Sequence, residues 1–347
     1  MECYSDEINY GQLSSETKDQ FRVEVASPGK FRITSSSNSE SCERTLADFH
    51  FLHNQLQSEN PSIILPAVPE RASAKLGHVM QSPENALLLQ LRVYLNKLST
   101  NPRITMQEEY KLFLQNSPFQ HVKETLKEKT QTIVKKIAWG LDIFKKKEDV
   151  SELESENVVN SEKSFETQLE NVQKIEALTE KIYSACEKQA KNFETGAESM
   201  KTCSTTIQEF FSNSENNQNL EVPFKTVAQK FEASLSKMNR HLFSLESVVA
   251  DLKEIIKIMK IFKERRTKVI KPIILKVKQS GLSNEYVEEE VNNYVDNLKD
   301  LEVQAKSIQK TMFGDSILIQ KMFEIEMKDC LENSSKIWGV VNSNNST

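Results

Sequence analysis

An unbroken apolar ladder in the second half of the chain is the feature that most constrains the fold. Its steps alternate three and four residues through Ala228, Phe231, Leu235, Met238, Leu242, Leu245, Val249, Leu252, Ile256 and Met259. A stripe with this spacing follows one side of a helix for about four heptads and packs against other helices. The sequence therefore predicts a long helix that lies along partner helices.

Two further segments carry the same period. One spans about 158–212 and the other begins near Ser283, and few Gly or Pro residues interrupt either of them. We expect three helices, with kinks at Pro272 and Gly314, and a helix of roughly 55 residues is about 80 Å long. Helices of this length cannot close around one compact core, so we predict an elongated antiparallel three-helix bundle that dimerises. The predicted dimer seam comprises Phe231, Leu235, Met238, Leu242, Leu245, Val249 and Leu252.

The N-terminal third has a different pattern. Two short strands, 21–25 and 30–34, flank Ser27-Pro28-Gly29, a combination typical of a hairpin turn. Helical spacing then recurs over 44–56, 83–98 and 106–114, and three prolines between the first two of these helices favour an extended run. We therefore predict a small α+β domain over residues 1–118, a linker helix over 119–150 and the helical bundle over 151–347.

Positive charge is concentrated directly after the ladder. The chain as a whole has a net charge of -5, so attraction to an anionic surface must come from a local patch. Each basic residue near an anionic leaflet contributes about 1 kcal/mol, so the stretch favours membrane contact, with a solvated helix face as the alternative. Nucleic acid is not expected, because no aromatic residues interleave with the basic ones. This predicted basic surface comprises Lys257, Lys260, Lys263, Arg265, Arg266, Lys268, Lys271, Lys276 and Lys278.

The linker segment 121–147 reads as a cationic amphipathic helix. Its apolar residues share a broad helical face, and lysines occupy much of the remainder. Such a helix lies in a bilayer interface or, alternatively, packs on its own protein. The residues predicted to insert into the membrane are Ile133, Ile137, Trp139, Leu141 and Phe144.

The sequence carries no signal of catalysis. The 5 Cys and 5 His residues are scattered without metal-ligand spacing, and no phosphate loop, nucleophile elbow or carboxylate pair appears. We expect no enzyme activity, no cofactor and no metal. No apolar run approaches the ~20 residues that a bilayer crossing needs, so we expect peripheral membrane contact from a reducing cytosol.

Several motifs resemble those of the PX domain over about residues 10–117. They are Arg44-Thr-Leu-Ala-Asp-Phe49, then Pro66-Ala-Val-Pro69-Glu-Arg71, and a helix with Leu91, Tyr94-Leu95, Leu98 and Asn101-Pro102. Downstream, Phe262-Lys-Glu-Arg265 and Ile337-Trp338 on breaker-poor helices look like a BAR domain of the sorting nexin type. The whole chain thus resembles a PX-BAR sorting nexin.

The resemblance breaks down at the lipid headgroup site. The family's 3-phosphate-binding Arg falls on Thr45, the aromatic that stacks on the inositol ring falls on Leu46, and a further Arg falls near Leu87. None of these side chains can form a charge-assisted bond to phosphate. Arg44 and Arg71 remain as candidate headgroup contacts, although Arg44 could instead support the fold. We therefore expect a weakened phosphatidylinositol 3-phosphate site.

The resemblance implies a peripheral protein that generates or senses curvature in endosomal tubulation and cargo sorting. Its expected partners are an anionic or phosphoinositide-containing membrane, a second copy or another PX-BAR protein, and a retromer-like complex. The alternative function is a protein-interaction scaffold whose PX fold binds cargo or a partner instead of lipid.

Overall fold

The computed structural model describes eight parts of the chain. They are residues 21–36, 41–60, 62–70, 83–115, 119, 156–210, 218–265 and 284–344. Three sets of predicted functional residues lie outside them: Arg71, the membrane-insertion residues of the linker, and the basic residues from Arg266 to Lys278. The predicted kink at Pro272 lies outside as well.

A three-stranded antiparallel sheet forms the N-terminal fold. Strand β1 is Phe21–Ser27, β2 is Lys30–Ser35 and β3 is Ser41–Thr45, in the order β1-β2-β3. Ser27 pairs with Lys30, which leaves a two-residue turn, and Gly29 adopts a φ of 75° that non-glycine residues rarely take. The predicted hairpin is confirmed.

Strand β3 was not predicted from the sequence, where helical spacing was expected from Arg44 onward. Its residues are Ser-Cys-Glu-Arg-Thr, and the buried ones are Cys42 and Arg44. A half-buried strand is predicted from apolar residues at alternate positions. Here one of the inward positions is an arginine, so the sequence does not show that alternation. The following helix therefore begins two residues later than predicted.

Four helices cover the sheet: α1 is Leu46–Glu59, α2 is Pro83–Ser99, α3 is Pro102–Thr105 and α4 is Glu108–Leu114. Phe49, Leu52, Leu91, Leu95 and Phe113 are almost fully buried at the centre of the core that they share with the sheet. The short helix α3 starts where the Asn101 side chain accepts a hydrogen bond from the Arg103 amide (3.0 Å). This arrangement agrees with the α+β prediction.

Three long helices follow: α5 is Glu156–Phe210, α6 is Gln218–Arg265 and α7 is Asn284–Asn344. Helices α5 and α7 begin within two residues of the predicted positions, about 158 and Ser283. Helix α7 continues through Gly314, where the sequence analysis expected a kink. Among the described helices, none combines the length and the hydropathy that a bilayer crossing needs.

The ladder is buried within the chain itself. Met238, Leu242, Leu245 and Leu252 have 0% exposure, and Leu235 and Val249 are also buried. Phe231 stacks on Phe193 of α5 with 5.2 Å between ring centroids. Apolar area that is already buried within one chain gives little further hydrophobic stabilisation when a second copy binds. In the structure these residues form a core within one chain, and their use as a dimer seam stays a prediction.

The chain divides into two compact units, each built from separate segments of the sequence. The first unit contains the sheet, α1–α4, α5 up to Lys174, α6 from Asp251 and α7 up to Lys310. The second contains α5 from Ile175, α6 up to Ala250 and α7 from Thr311. The first unit thus combines the α+β fold with one end of each long helix.

Candidate functional site

Arg44, a predicted headgroup contact, is a buried structural residue with 2% exposure. Its Nε donates to the Phe113 carbonyl (2.8 Å), its Nη2 to the Gln115 carbonyl (2.6 Å) and its Nη1 to the Glu43 carbonyl (2.6 Å). The guanidinium also lies 4.8 Å from the centre of the Phe119 ring. Burial lowers the pKa of Arg44 from its ordinary value. These contacts match the fold-supporting alternative, because they tie the end of α4 to β3.

The neighbouring positions of the expected headgroup site also serve the fold. The Thr45 amide and hydroxyl both donate to the Asp48 carboxylate, at 2.7 and 2.9 Å, as a cap on α1. Leu46 and Leu87 pack against the hydrophobic core of the α+β fold. A capping carboxylate at this point opposes the approach of a phosphate group. At these described positions, the side chains are therefore engaged by the fold itself.

The described part of the predicted basic surface is partly neutralised. Lys257 lies 2.9 Å from the Glu254 carboxylate, and Lys263 lies 2.7 Å from Glu166. Lys260 is exposed between them. Exposed ion pairs of this kind are weak, so an anionic surface could compete for both lysines. Arg265 is the last residue of α6, and the other predicted basic residues lie outside the described ranges.

Asp251 of α6 is a buried carboxylate that receives two donors from the α+β fold. Its Oδ1 accepts a hydrogen bond from the Ala67 amide (2.8 Å), and its Oδ2 pairs with the ammonium group of Lys97. Only 4% of Asp251 is exposed. A buried charge is tolerated when it is both paired and hydrogen-bonded, and Asp251 meets both conditions.

Gln304 of α7 brackets the main chain of the same proline-rich segment. Its Nε2 donates to the Ser62 carbonyl (2.9 Å), and its Oε1 accepts from the Ile64 amide (3.3 Å). An amide side chain offers a donor and an acceptor side by side, as a neighbouring strand does. Gln304 therefore fixes the direction of the segment as well as its position.

Three further polar contacts involve side chains of the α+β fold. His53 Nε2 lies 3.3 Å from the Glu254 carboxylate, and its Nδ1 lies 3.3 Å from the Tyr94 hydroxyl. Burial alone would raise the pKa of Glu254, but hydrogen bonds from His53 and Lys257 outweigh it and hold the pKa below its ordinary value. Arg103 pairs with Asp300 of α7 at the surface.

An aromatic cluster joins the three long helices in the first unit. The rings of Phe262 and Tyr294 stack with 5.5 Å between centroids, and Phe165 lies 6.4 Å from Phe262. Phe262, which belongs to the motif that resembles a BAR domain, is thus a core residue. The Tyr294 hydroxyl donates to Glu162 (3.4 Å).

The sequence did not lead to a predicted role for Asp251 or Gln304. The apolar ladder indicated only one buried face of α6, and Asp251 lies outside that ladder. A second stripe was present, since Ile255, Ile258 and Phe262 follow Asp251 at steps of four, three and four residues and are all buried. The carboxylate at the start of this stripe was the available signal. The sequence offered no comparable signal for Gln304.

In the second unit, α7 presents an apolar stripe to solvent. Leu318, Met322 and Ile325 are 45%, 40% and 57% exposed, and their spacing of four and three residues places them on one side of the helix. Lys321, Lys328 and Asp329, which neighbour them at helical spacing, are also exposed. Among the residues that the structure describes, this stripe, unlike the ladder, is left uncovered.

Comparison with known proteins identifies the first part of the chain. Residues 32–117 match the family model of the PX domain. The PX part of the predicted resemblance is thereby confirmed. A solved cryo-EM structure of the SNX-BAR Mvp1 tetramer is similar at 11% sequence identity, over 91% of this chain and 91% of that chain, with a TM-score of 0.43. No curated protein matches the sequence.

Proposed function

We propose that this protein is a PX-BAR sorting nexin that binds anionic membrane peripherally and generates or senses curvature. The observation that carries the proposal is a PX domain over residues 32–117 followed in the same chain by three long helices. The PX domain suggests a membrane surface as the ligand. Elongated helices suit contact with a surface that extends well beyond one lipid headgroup.

Adhesion would depend on summed charge and insertion more than on one headgroup site. Arg44 and Thr45 are engaged in the fold, so specific binding of phosphatidylinositol 3-phosphate would be weak. Arg71 remains as a proposed headgroup contact. The basic stretch from Lys257 to Lys278 would adhere to anionic lipid, and Ile133, Ile137, Trp139, Leu141 and Phe144 would insert as a wedge.

A second copy of the chain would cover the exposed stripe of Leu318, Met322 and Ile325. Charges of both signs, Lys321 and Asp329, border the stripe at helical spacing, and a two-fold axis can place each sign opposite the other. Dimerisation would present every membrane-binding element twice and raise avidity without new contacts. A heterodimer with another PX-BAR protein would use the same surface.

The cellular setting proposed here comes from the family resemblance. It is the cytoplasmic face of endosomal membranes, where the protein would support tubulation and cargo sorting beside a retromer-like complex. A scaffold that binds cargo through its PX fold without shaping lipid is the second candidate. Arg44 and Thr45 already form hydrogen bonds within the fold, so they are less able to bind phosphate. These contacts favour the scaffold over specific lipid recognition.

Co-sedimentation of the full chain with vesicles of phosphatidylcholine and phosphatidylserine tests the proposal. We expect binding at low salt that weakens but persists at about 0.15 M ionic strength, because screening reduces and does not abolish a summed electrostatic attraction. Adding phosphatidylinositol 3-phosphate should change the affinity little. Absence of binding at both salt concentrations would exclude the membrane function and favour the scaffold.

The double variant Ile137→Asp and Trp139→Asp tests insertion separately. It should reduce vesicle binding and abolish tubulation, because two carboxylates oppose burial in the acyl region. The matched control, Gln131→Asp with Thr132→Asp, adds the same charge at polar positions of the same segment and should bind better. Equal tubulation by both double variants would show that this segment does not insert.

A further inference from the structure

The proline-rich segment 62–70 has few main-chain hydrogen bonds of its own. Within the described ranges, its one main-chain bond runs from the Ile63 amide to the Asn60 carbonyl (3.0 Å). Pro66 and Pro69 have no amide proton to donate. Buried backbone groups need partners, so the conformation of this segment depends on groups supplied from elsewhere.

Helices α6 and α7 supply those partners. Asp251 accepts from the Ala67 amide across 184 positions in sequence, and Gln304 binds Ile64 and Ser62 across 240 and 242 positions. The two contacts fix separate points of the segment, one at each side of buried Leu65. Neither point would be held by local sequence alone.

The buried carboxylate of Asp251 needs both of its donors. Its carboxylate is buried, so the free form without Ala67 and Lys97 would be strongly unfavourable. Both donors belong to the PX part of the chain, one in the proline-rich segment and one in α2. The carboxylate therefore orients two elements of the PX domain against α6.

We infer that Asp251 and Gln304 are positioning residues that hold the proline-rich segment of the PX domain on α6 and α7, and that membrane affinity depends on this attachment. The second half of the inference rests on the proposed function. Lys257 and Lys260 follow Asp251 by six and nine residues on the same helix, so the attachment places these two lysines and the PX domain in one compact unit. Elements that are ordered in advance lose less entropy when they bind a surface together.

Hydrogen exchange of the full-length protein tests the positioning. Asp251→Ala and Gln304→Ala should each raise amide exchange in residues 62–70 about tenfold, while exchange in β1, β2 and β3 stays near the wild-type rate. Asp251→Asn keeps an oxygen for the Ala67 amide and should show a smaller rise. Unchanged exchange in 62–70 for both alanine variants would overturn the inference.

Asp300→Asn is the matched control. It removes a carboxylate that also links α7 to the PX part, through Arg103, but Asp300 makes no described bond to the proline-rich segment. Exchange in 62–70 should remain at the wild-type rate. If Asp251→Ala raises exchange throughout the sheet, that variant has unfolded the domain. Amide exchange in 62–70 of the other two variants, Asp251→Asn and Gln304→Ala, then tests the inference.

Titration with vesicles of phosphatidylcholine and phosphatidylserine tests the dependence of membrane affinity. At physiological salt, Asp251→Ala and Gln304→Ala should bind several-fold more weakly than Asp300→Asn. Faster exchange in 62–70 with unchanged vesicle affinity would overturn the functional half of the inference. A wild-type protein that binds no vesicles would instead defeat the proposed function, and the exchange data would still decide whether these residues position the segment.

Discussion

At the scale of single residues, Arg44 shows how a residue type that suits a lipid headgroup can be used by the fold. Its planar guanidinium donates to three carbonyl oxygens and lies against the Phe113 and Phe119 rings. Those carbonyls sit at the end of α4 and in β3, where regular secondary structure leaves them without partners. The charge of Arg44 is therefore used inside the molecule.

Replacing Arg44 should reduce stability far more than lipid binding. Arg44→Lys keeps the charge but loses the planar fork, and we expect the free energy of unfolding to fall by about 3 kcal/mol, because buried carbonyls lose their donors. Urea unfolding measures this change. Normal stability combined with weaker binding to phosphatidylinositol 3-phosphate vesicles would show instead that Arg44 is a lipid ligand.

At the scale of elements, side chains that cross between α6 and α7 set the environment of charged groups in the second unit. His241 of α6 faces Glu326 of α7 and, on its own helix, Lys237 and Arg240. Burial lowers the pKa of His241, and the two cations add to this effect, while Glu326 opposes it. The fold therefore favours the neutral imidazole.

This preference predicts a loss of stability in mild acid. An unfolded chain would bind a proton at His241 as the pH falls through about 6.5, whereas the folded protein would resist it down to a lower pH. His241→Gln should remove this part of the pH dependence, so the wild-type protein should lose stability relative to the variant below that pH. Urea unfolding at a series of pH values measures the difference. Parallel curves for the two proteins would refute the assignment.

At the scale of the whole molecule, the apolar ladder and the apolar surface are different sets of residues. The ladder closes the core within one chain, while Leu318, Met322 and Ile325 remain exposed on α7. Contiguous exposed apolar surface is the usual mark of an interface. The exposed stripe on α7 is therefore a second candidate surface for the proposed assembly, beside the seam on α6, which stays a prediction.

The double variant Met322→Glu with Ile325→Glu should weaken the proposed dimer at least tenfold, because it buries carboxylates at an apolar contact. Sedimentation equilibrium measures the dissociation constant. Leu331→Glu is the control, since Leu331 is 50% exposed but lies on another side of the helix. A wild-type protein that stays monomeric at high concentration, or a control that dissociates equally, would contradict this use of α7.

Several features could be predicted from the sequence because their signals are local or periodic. The β1–β2 hairpin follows from Pro28-Gly29 between alternating strands, and the three long helices follow from the three-and-four spacing with few breakers. The PX motifs likewise identified the domain that the family match confirms. Each signal is contained in a short stretch of chain.

Tertiary structure alone decided what covers each apolar face and where each charge is used. The ladder showed that a face of α6 is buried, but periodicity does not state whether the partner is the same chain or another one. Arg44, Asp251 and Gln304 acquired their roles from carbonyls and amides that lie far away in sequence. Such pairings arise only when folding brings distant groups together in a dry interior, where an unpartnered polar group is too costly to leave.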